Sequence, residues 1–242
     1  MANLVDSVVG LAQDSFTSSS TQLHPLGTRA YTTDGRRYRY AQAGATNLVA
    51  GTLIQGAAPL ANHLALAAPA VAIGDTSFTF TPGATAGAAN LYAEGYLQVD
   101  VTPGAGYTYQ VSGHAAISSS TAFTLTLKDS IQVALTSTSR IGLMPNPYKN
   151  VIKTPTTITA KVVGVAGYII TATEYGWLNT WGPCSVLING TPAITAPVIN
   201  GGTTAGSVDV WTAGAQPTAN LVGAMMQVGV STKYNFVFLE ID

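Results

Sequence analysis

The chain has 242 residues, of which 47% are hydrophobic and only 9% are charged, and its formal net charge at pH 7 is −1. This length is enough for one large all-β domain or two smaller ones. The near-zero net charge excludes bulk electrostatic steering toward nucleic acid or an acidic membrane. The single cysteine, Cys184, excludes an internal disulfide framework and a cysteine-rich zinc site, and the apolar run that follows it predicts a small buried side chain.

The low charge content has two interpretations. Soluble proteins devote about a quarter of their residues to charged side chains, which keep the surface of a monomer soluble. Fewer charges are tolerable where other subunits cover the surface, so the composition favours an assembly protein. The alternative is a neutral surface of Thr, Ser and Asn on a secreted protein.

The sequence shows the pattern of neither a targeting signal nor a membrane span. The N-terminus lacks a basic region followed by an apolar core, so we expect no signal peptide. Pro59 and Pro69 interrupt the longest charge-free apolar stretch, residues 56–74. We therefore expect no membrane span and no membrane partner.

Residues 1–27 are predicted to form an N-terminal arm. Leu4, Val8 and Leu11 recur near helical spacing, which predicts a short helical or extended segment, and the polar residues 17–22 predict a flexible joint behind it. Such an arm either frays in solution or docks on a neighbouring subunit. In the second case Leu4, Val8 and Leu11 are candidates for the partner interface.

The pair Asp34-Gly35 predicts a β-hairpin. This dipeptide is typical of a two-residue turn in which both central residues have positive φ. On the strand that follows, alternation places Arg37 and Arg39 on one face and the remaining residues of 36–40 on the other.

Four of the ten basic residues of the chain lie in or beside this hairpin, and three of them, Arg36, Arg37 and Arg39, form a cluster. The planar guanidinium of arginine pairs well with carboxylates, so the cluster is a candidate contact for a partner protein. The alternative is a strand edge that charge protects from mispairing. Binding to duplex nucleic acid would need more basic residues, and we expect none.

Short alternating segments separated by Gly, Pro and Asn follow along the rest of the chain, which predicts an antiparallel all-β sandwich or barrel. Before the Pro-containing segment 144–150, which we interpret as the seam between two halves, the predicted strands are 76–81, 91–102, 107–111, 121–127 and 131–136. After it they are 156–165 and 168–173 around an Ala166-Gly167 turn, then 186–188, 208–211, 221–230 and 234–241. We therefore predict β domains at 28–145 and 146–242, with the alternative that the second forms one continuous β unit with residues 28–56.

The residues that usually carry chemistry do not form a recognisable set. His24, His63 and His114 are far apart in sequence, whereas a zinc site needs three or four converging ligands. The chain has no nucleophile elbow, P-loop or HExxH motif. We expect no catalytic residues, no metal site and no cofactor.

Trp177 and Trp181 stand in an aromatic segment, residues 175–183, and are further candidates for the partner interface. They could form a platform for a sugar, or a hydrophobic edge that a neighbouring strand or subunit covers. Apolar and aromatic residues dominate the segments 175–188 and 221–241 as a whole, and the chain has little charge with which to protect such edges. Burial between subunits would remove that problem.

Four segments resemble a family of virion structural proteins of tailed bacteriophages. They are LGTRAYTTDGRRYRYAQAGATNLVAGTLIQ at 26–55, YAEGYLQVDVTPGAGYTYQVSGH at 92–114, YGWLNTWGP at 175–183 and VGVSTKYNFVFLEID at 228–242. The resemblance covers most of the chain beyond residue 23. It is a similarity of pattern and assigns no catalytic residue.

The resemblance implies a capsid decoration or cement protein. Such a protein lies on the outer surface of the virion head in many copies, binds the major capsid protein and reinforces contacts between capsomers. It also implies a homo-oligomer, and a trimer in particular, because decoration proteins sit at local three-fold positions. Two alternatives stay open, a head- or tail-fibre module that recognises host glycans and a cell-wall glycosidase carried by the virion.

Overall fold

A computed structural model describes residues 4–5, 14–212 and 220–242. The chain is 41% β-strand, all strand pairs are antiparallel, and the helical structure of the described residues is one 3-10 turn, Ala61–His63. The strands are β1 (Leu4–Val5), β2 (Arg29–Thr32), β3 (Arg37–Gln42), β4 (Thr52–Gln55), β5 (Leu66–Ala67), β6 (Ser77–Phe80), β7 (Tyr96–Val101), β8 (Thr108–His114), β9 (Phe123–Leu127), β10 (Arg140–Met144), β11 (Ile152–Lys153), β12 (Val162–Ala166), β13 (Tyr175–Leu187), β14 (Pro197–Asn200), β15 (Val208–Val210), β16 (Leu221–Met225) and β17 (Tyr234–Glu240). The predicted all-β class is confirmed.

The chain divides into two compact units. One consists of Met1–Ala57 together with Pro147–Asp242, and the other is Ala58–Asn146, which is inserted into the first along the sequence. One boundary falls inside the Pro-containing segment 144–150. Residues 28–57 belong with the C-terminal part of the chain rather than with residues 58–145, so the division follows the continuous β unit that the sequence left open as an alternative.

The inserted unit is a six-stranded antiparallel sheet in the order β5-β10-β7-β8-β9-β6. Its alternating strands send one set of side chains into an apolar core, as in β9, where Phe123, Leu125 and Leu127 are buried and the two threonines between them are exposed. Two buried histidines, His63 and His114, contact Tyr92 in this unit. The Nδ1 atom of His63 lies 2.6 Å from the Tyr92 hydroxyl, and the backbone N–H of Tyr92 donates to Nε2 of His114 at 3.0 Å.

The larger unit is an eleven-stranded sheet whose main path is β1-β2-β3-β13-β17-β16-β14-β15. A parallel bridge between Ile188 and Val208 returns β15 to the end of β13, so the last five strands of this path form a small, nearly closed barrel. Valine side chains dominate the interior of this barrel. On the other side of the unit β12 pairs with both β13 and β4, and β11 pairs with β4.

Strand β13 is central to the larger unit and bends sharply. Its register with β3 shifts between Asn179 and Trp181, and Gly182 has a φ of +90° that favours glycine. The side-chain amide of Asn179 donates to Sγ of Cys184 at 3.2 Å. Five residues of straight strand would separate these positions by roughly 16 Å, so the short contact shows that the two halves of β13 fold toward each other.

Several of the predicted strands differ from the structure. The strand predicted at 156–165 begins only at Val162, and the one predicted at 221–230 ends at Met225. Residues 168–173 form a connection with one bridge, Leu48 to Ile170, and β12 pairs across them with β13, so Ala166-Gly167 is not a hairpin turn. Residues 131–136 contribute only a bridge at Leu135. The strand predicted at 91–102 begins at Tyr96, because residues 91–95 form turns in which Gly95 lies directly against the backbone of Met144.

Candidate docking surface

The β2–β3 hairpin forms where the sequence predicts it, with a different turn. The N–H of Gly35 donates to the carbonyl of Thr32 at 3.0 Å, and the N–H of Thr32 donates to the carbonyl of Arg36 at 3.0 Å. Gly35 has a φ of +87°, whereas Asp34 is not in the positive-φ region. The loop therefore has three residues, 33–35, and a single left-handed position, and the predicted two-residue turn is wrong.

Two of the three clustered arginines pair with carboxylates of their own chain. Arg39 makes a two-pronged contact with Asp242, at 2.8 Å from Nε and 2.7 Å from Nη2. Nε of Arg36 contacts the Asp34 carboxylate at 2.8 Å. Arg36 and Arg39 are therefore already paired within their own chain. That the cluster contacts carboxylates of a partner stays a prediction, and it now concerns mainly Arg37.

These contacts change the pKa values of both acids. A hydrogen bond from the Thr32 hydroxyl, with further help from Arg36, lowers the pKa of Asp34. Burial on its own would raise the pKa of Asp242, but the hydrogen bonds and positive charges of Arg39 and Arg29 outweigh it and the pKa is lowered. Both carboxylates are thus held in the charged form.

Arg37 has a different environment. Its guanidinium lies 4.7 Å from the centre of the Trp181 ring, within the range of a cation–π contact. Within residues 4–5, 14–212 and 220–242 it forms no ion pair. It is the arginine of the cluster whose charge a partner's carboxylate could meet.

The two tryptophans of the aromatic segment have opposite positions. Trp177 is fully buried, with its ring 4.9 Å from that of Tyr40 and 5.3 Å from that of His24. Trp181 is only partly buried and packs edge-on against Phe238 at 5.6 Å. Residues four apart share a face of a regular strand, but the extra residue of the bulge at Thr180 reverses that relation. The prediction that Trp177 faces a partner is therefore wrong, while the position of Trp181 is compatible with its predicted role.

Trp181 belongs to an aromatic surface on the outside of the barrel. Strand β17 alternates between Asn235, Val237 and Leu239, which point inward, and the aromatic residues between them, which point outward. Tyr234 and Phe236 are 49% and 51% exposed. We call the set Trp181, Tyr234, Phe236 and Phe238 the aromatic face. Isolated exposed apolar residues are ordinary, but a contiguous group marks an interaction site.

A cleft of about 660 Å³ adjoins the aromatic face in the bend of β13. Tyr234 and Phe236 line it from β17, and Pro183, Cys184 and Ser185 line it from β13. Its other walls are connecting segments that contribute Phe16, Val49 and Ile169, which are 53%, 44% and 62% exposed. The aromatic alternation of β17 was visible in the sequence, whereas no local pattern places these three residues beside it, and the pattern around Ile169 predicted a strand at 168–173 where the structure has a connection.

Cys184 is buried, as predicted, and its thiol is not poised for chemistry. Burial raises the pKa of this thiol to about 11, against weaker lowering by the hydrogen bond from Asn179. Thiolate, not thiol, is the nucleophilic form. The residue therefore contributes to the barrel core.

Of the three candidate residues of the arm, the structure describes Leu4. Leu4 lies in β1, whose backbone pairs with the edge of β2 in the register Leu4 to Thr32 and Val5 to Tyr31. Val8 and Leu11 lie outside the described residues. Behind them, the predicted flexible joint is held in place, because Ser19 and Tyr175 exchange backbone hydrogen bonds of 3.0 and 2.8 Å.

No group of three or more histidine, cysteine, aspartate or glutamate side chains that could hold a metal ion occurs among the residues with described positions. In the same part of the chain, no helix is both long and apolar enough to cross a membrane. Comparison with protein-family models, with curated proteins and with solved structures finds no match to this chain.

Proposed function

We propose that this protein is a structural component of a virus particle, a bacteriophage capsid decoration or cement protein that binds the major capsid protein on the head surface. In this role it has no enzymatic activity and needs no cofactor. It acts by adding interface area at the junctions between capsomers.

The observation that carries the proposal is the joined surface of the aromatic face and the cleft. Tyr234, Phe236 and Ile169 are each about half exposed or more on one side of the larger unit. A protein with only 9% charged residues has few means to keep such a surface solvated. Burial against a second protein accounts for both features, and the resemblance of segments such as 26–55 and 228–242 to phage virion proteins supplies the partner.

The glycan-recognition alternative receives less support. It relied on Trp177 and Trp181 as a stacking platform, but Trp177 is fully buried and Arg37 covers the ring of Trp181. A sugar would need at least one open aromatic ring. Tyr234 and Phe236 stay open. The cleft beside them also contains Arg36 and Asn179, but these polar side chains already pair within the chain, with Asp34 and with Cys184.

The experiment measures binding to purified heads that lack this protein. Ile169→Asp places a charge in the cleft, where burial against a partner would leave it unpaired, so we expect occupancy to fall by at least tenfold. Ile194→Asp is the matched control, since Ile194 is 55% exposed, close to the 62% of Ile169, and does not line the cleft. Its occupancy should stay near that of the wild type.

Light scattering of the isolated protein tests the oligomer. We expect a homo-oligomer, with a trimer as the form that suits three-fold positions on a head. A strictly monomeric protein that also fails to bind the heads would overturn the proposal and restore the glycan-binding alternative.

A further inference from the structure

The second half of β13 has one edge that faces the cleft. The even-numbered residues of β13 make the backbone hydrogen bonds to the β17 side. The N–H of Ile241 donates to the carbonyl of Thr180 at 3.0 Å, and the N–H of Ile188 donates to the carbonyl of Lys233 at 2.9 Å. In a strand, successive residues direct their backbone groups to opposite sides. The N–H and C=O groups of Ser185 therefore point away from β17.

On that side the neighbouring strand is interrupted. Strand β3 makes its last pair with β13 at Arg37 and Trp181. The chain returns only at Gly51, whose carbonyl accepts from the N–H of Leu187 at 2.8 Å. Between these two points no backbone group of the described residues pairs with Ser185.

The open edge is short and recessed. Its five residues, 182–186, correspond to roughly 16 Å of strand. The side chain of Arg36 lies against Gly182 at one end, and Val49, Ala50 and Gly51 line the wall at the other. Pro183, which has no N–H, disfavours pairing between two copies of this edge.

We propose that the cleft binds an extended segment of the partner protein, which pairs with the backbone of Ser185 as an added β-strand. The Ser185 carbonyl accepts from the Cys184 thiol at 3.7 Å, whereas the Ser185 N–H has no partner among the described residues, and an unpaired N–H on an exposed edge is a template for such pairing. The apolar walls, including Ile169 and Phe236, receive alternate side chains of the segment. This inference rests on the proposed function, because the segment belongs to the protein that forms the head surface.

The chemistry of the segment follows from the recess and its rim. It is an extended stretch of about four or five residues, apolar at alternate positions and free of proline at the residue that pairs with Ser185. Arg37, which has no ion pair in the described part of the chain, lies beyond the Arg36 end of the edge. An acidic residue at the corresponding end of the segment would meet that charge.

The test uses a pair of variants at one position. Ser185→Pro removes the N–H that points into the cleft without removing a hydrogen bond to β17, and proline is tolerated at a strand edge. Ser185→Ala removes the hydroxyl and keeps the N–H. On heads that lack the protein we expect at least about a tenfold weaker affinity for Ser185→Pro, since a partner carbonyl is left unpaired, and near wild-type affinity for Ser185→Ala.

If Ser185→Pro does not fold, hydrogen exchange of the wild-type protein tests the same proposal. The wild-type protein is compared free and bound to heads, and the amide of Ser185 should become protected on binding, whereas those of Cys184, Val186 and Leu187 are already paired within the chain. Equal binding of the two Ser185 variants, or unchanged exchange of the Ser185 amide on bound protein, would overturn strand addition while the decoration role stands. Failure of the wild type to bind the heads would instead overturn the proposed function and this inference with it.

Discussion

Replacing Trp177 and Trp181 one at a time distinguishes a side chain that packs in the core from one that contacts a partner. Trp177→Ala removes a fully buried ring that packs against Tyr40 and His24. Substitutions of this type cost about 3–5 kcal/mol because they combine lost burial with a cavity. Trp181→Ala removes a partly exposed ring on the aromatic face, so it should cost much less stability and should weaken binding to heads.

Trp177→Phe provides an internal check on this magnitude. The indole Nε1 of Trp177 has no hydrogen-bond partner among the described residues, and a buried unsatisfied donor costs about 1–3 kcal/mol. Phenylalanine removes that donor and keeps most of the apolar volume. The gain offsets part of the lost packing, so Trp177→Phe should be far less destabilising than Trp177→Ala.

Thermal unfolding followed by tryptophan fluorescence measures these effects. The signal reports on the larger of the two compact units, because that unit contains Trp177, Trp181 and Trp211. For a unit of 150–250 residues, 1 kcal/mol lowers the melting temperature by about 2–4 °C. Trp177→Ala should therefore lower it by roughly 6–20 °C. An unchanged melting temperature for Trp177→Ala, or a larger loss for Trp181→Ala, would refute the assignment of the two rings to opposite sides.

Three further predictions concern the hairpin, an ion pair and the thiol. Gly35→Val should lose on the order of 1–2 kcal/mol through its left-handed φ alone, since no atom lies within 4 Å of a Cβ placed there, and Gly35→Asn should lose less; equal melting temperatures of the two variants would contradict this. Because the pKa of Asp242 is lowered by folding, its stabilising contact with Arg39 is fully present above the unfolded pKa of about 3.8 and is lost as pH falls through the folded value. Denaturant titrations at decreasing pH should show a steeper loss of stability in the wild type than in Asp242→Asn. Cys184 should react with a thiol reagent at pH 8 only on unfolding, and rapid labelling of the native protein would show that the thiol is accessible.

The strands that alternate cleanly were predictable, and the reason is local. In β6 and β9 every second side chain is apolar and buried, so the period of two fixes both the element and its orientation. The hairpin at Asp34-Gly35 was likewise visible, because glycine marks a left-handed position. Its three-residue loop was not, since the same dipeptide serves turns of different length.

The errors trace to long-range pairing. The sequence treats Ala166-Gly167 as a turn because two apolar segments flank it, but β12 finds its partner beyond this region in β13. The predicted 28–145 domain followed chain order, whereas β4 pairs with β11 and β12 some hundred residues later. Pairings between distant residues leave no mark on local periodicity.

The sequence predicts which residue types form the docking surface but not its shape. The aromatic residues of 234–238 indicate a strand whose exposed side a second protein or subunit would bury. The bulge at Thr180 decided which tryptophan reaches the surface, and neither a motif nor a propensity announces that bulge. The cleft depends on the bend of β13 and on three loop residues, Phe16, Val49 and Ile169, that only tertiary structure brings together.

Electron microscopy of purified particles tests the central claim most directly, since it shows both where the protein sits and which of its surfaces is covered. We expect many copies on the outer surface of the head, with Tyr234, Phe236 and the cleft against the major capsid protein. A few copies confined to a tail or fibre, or head-bound copies whose aromatic face and cleft are open to solvent, would contradict the account.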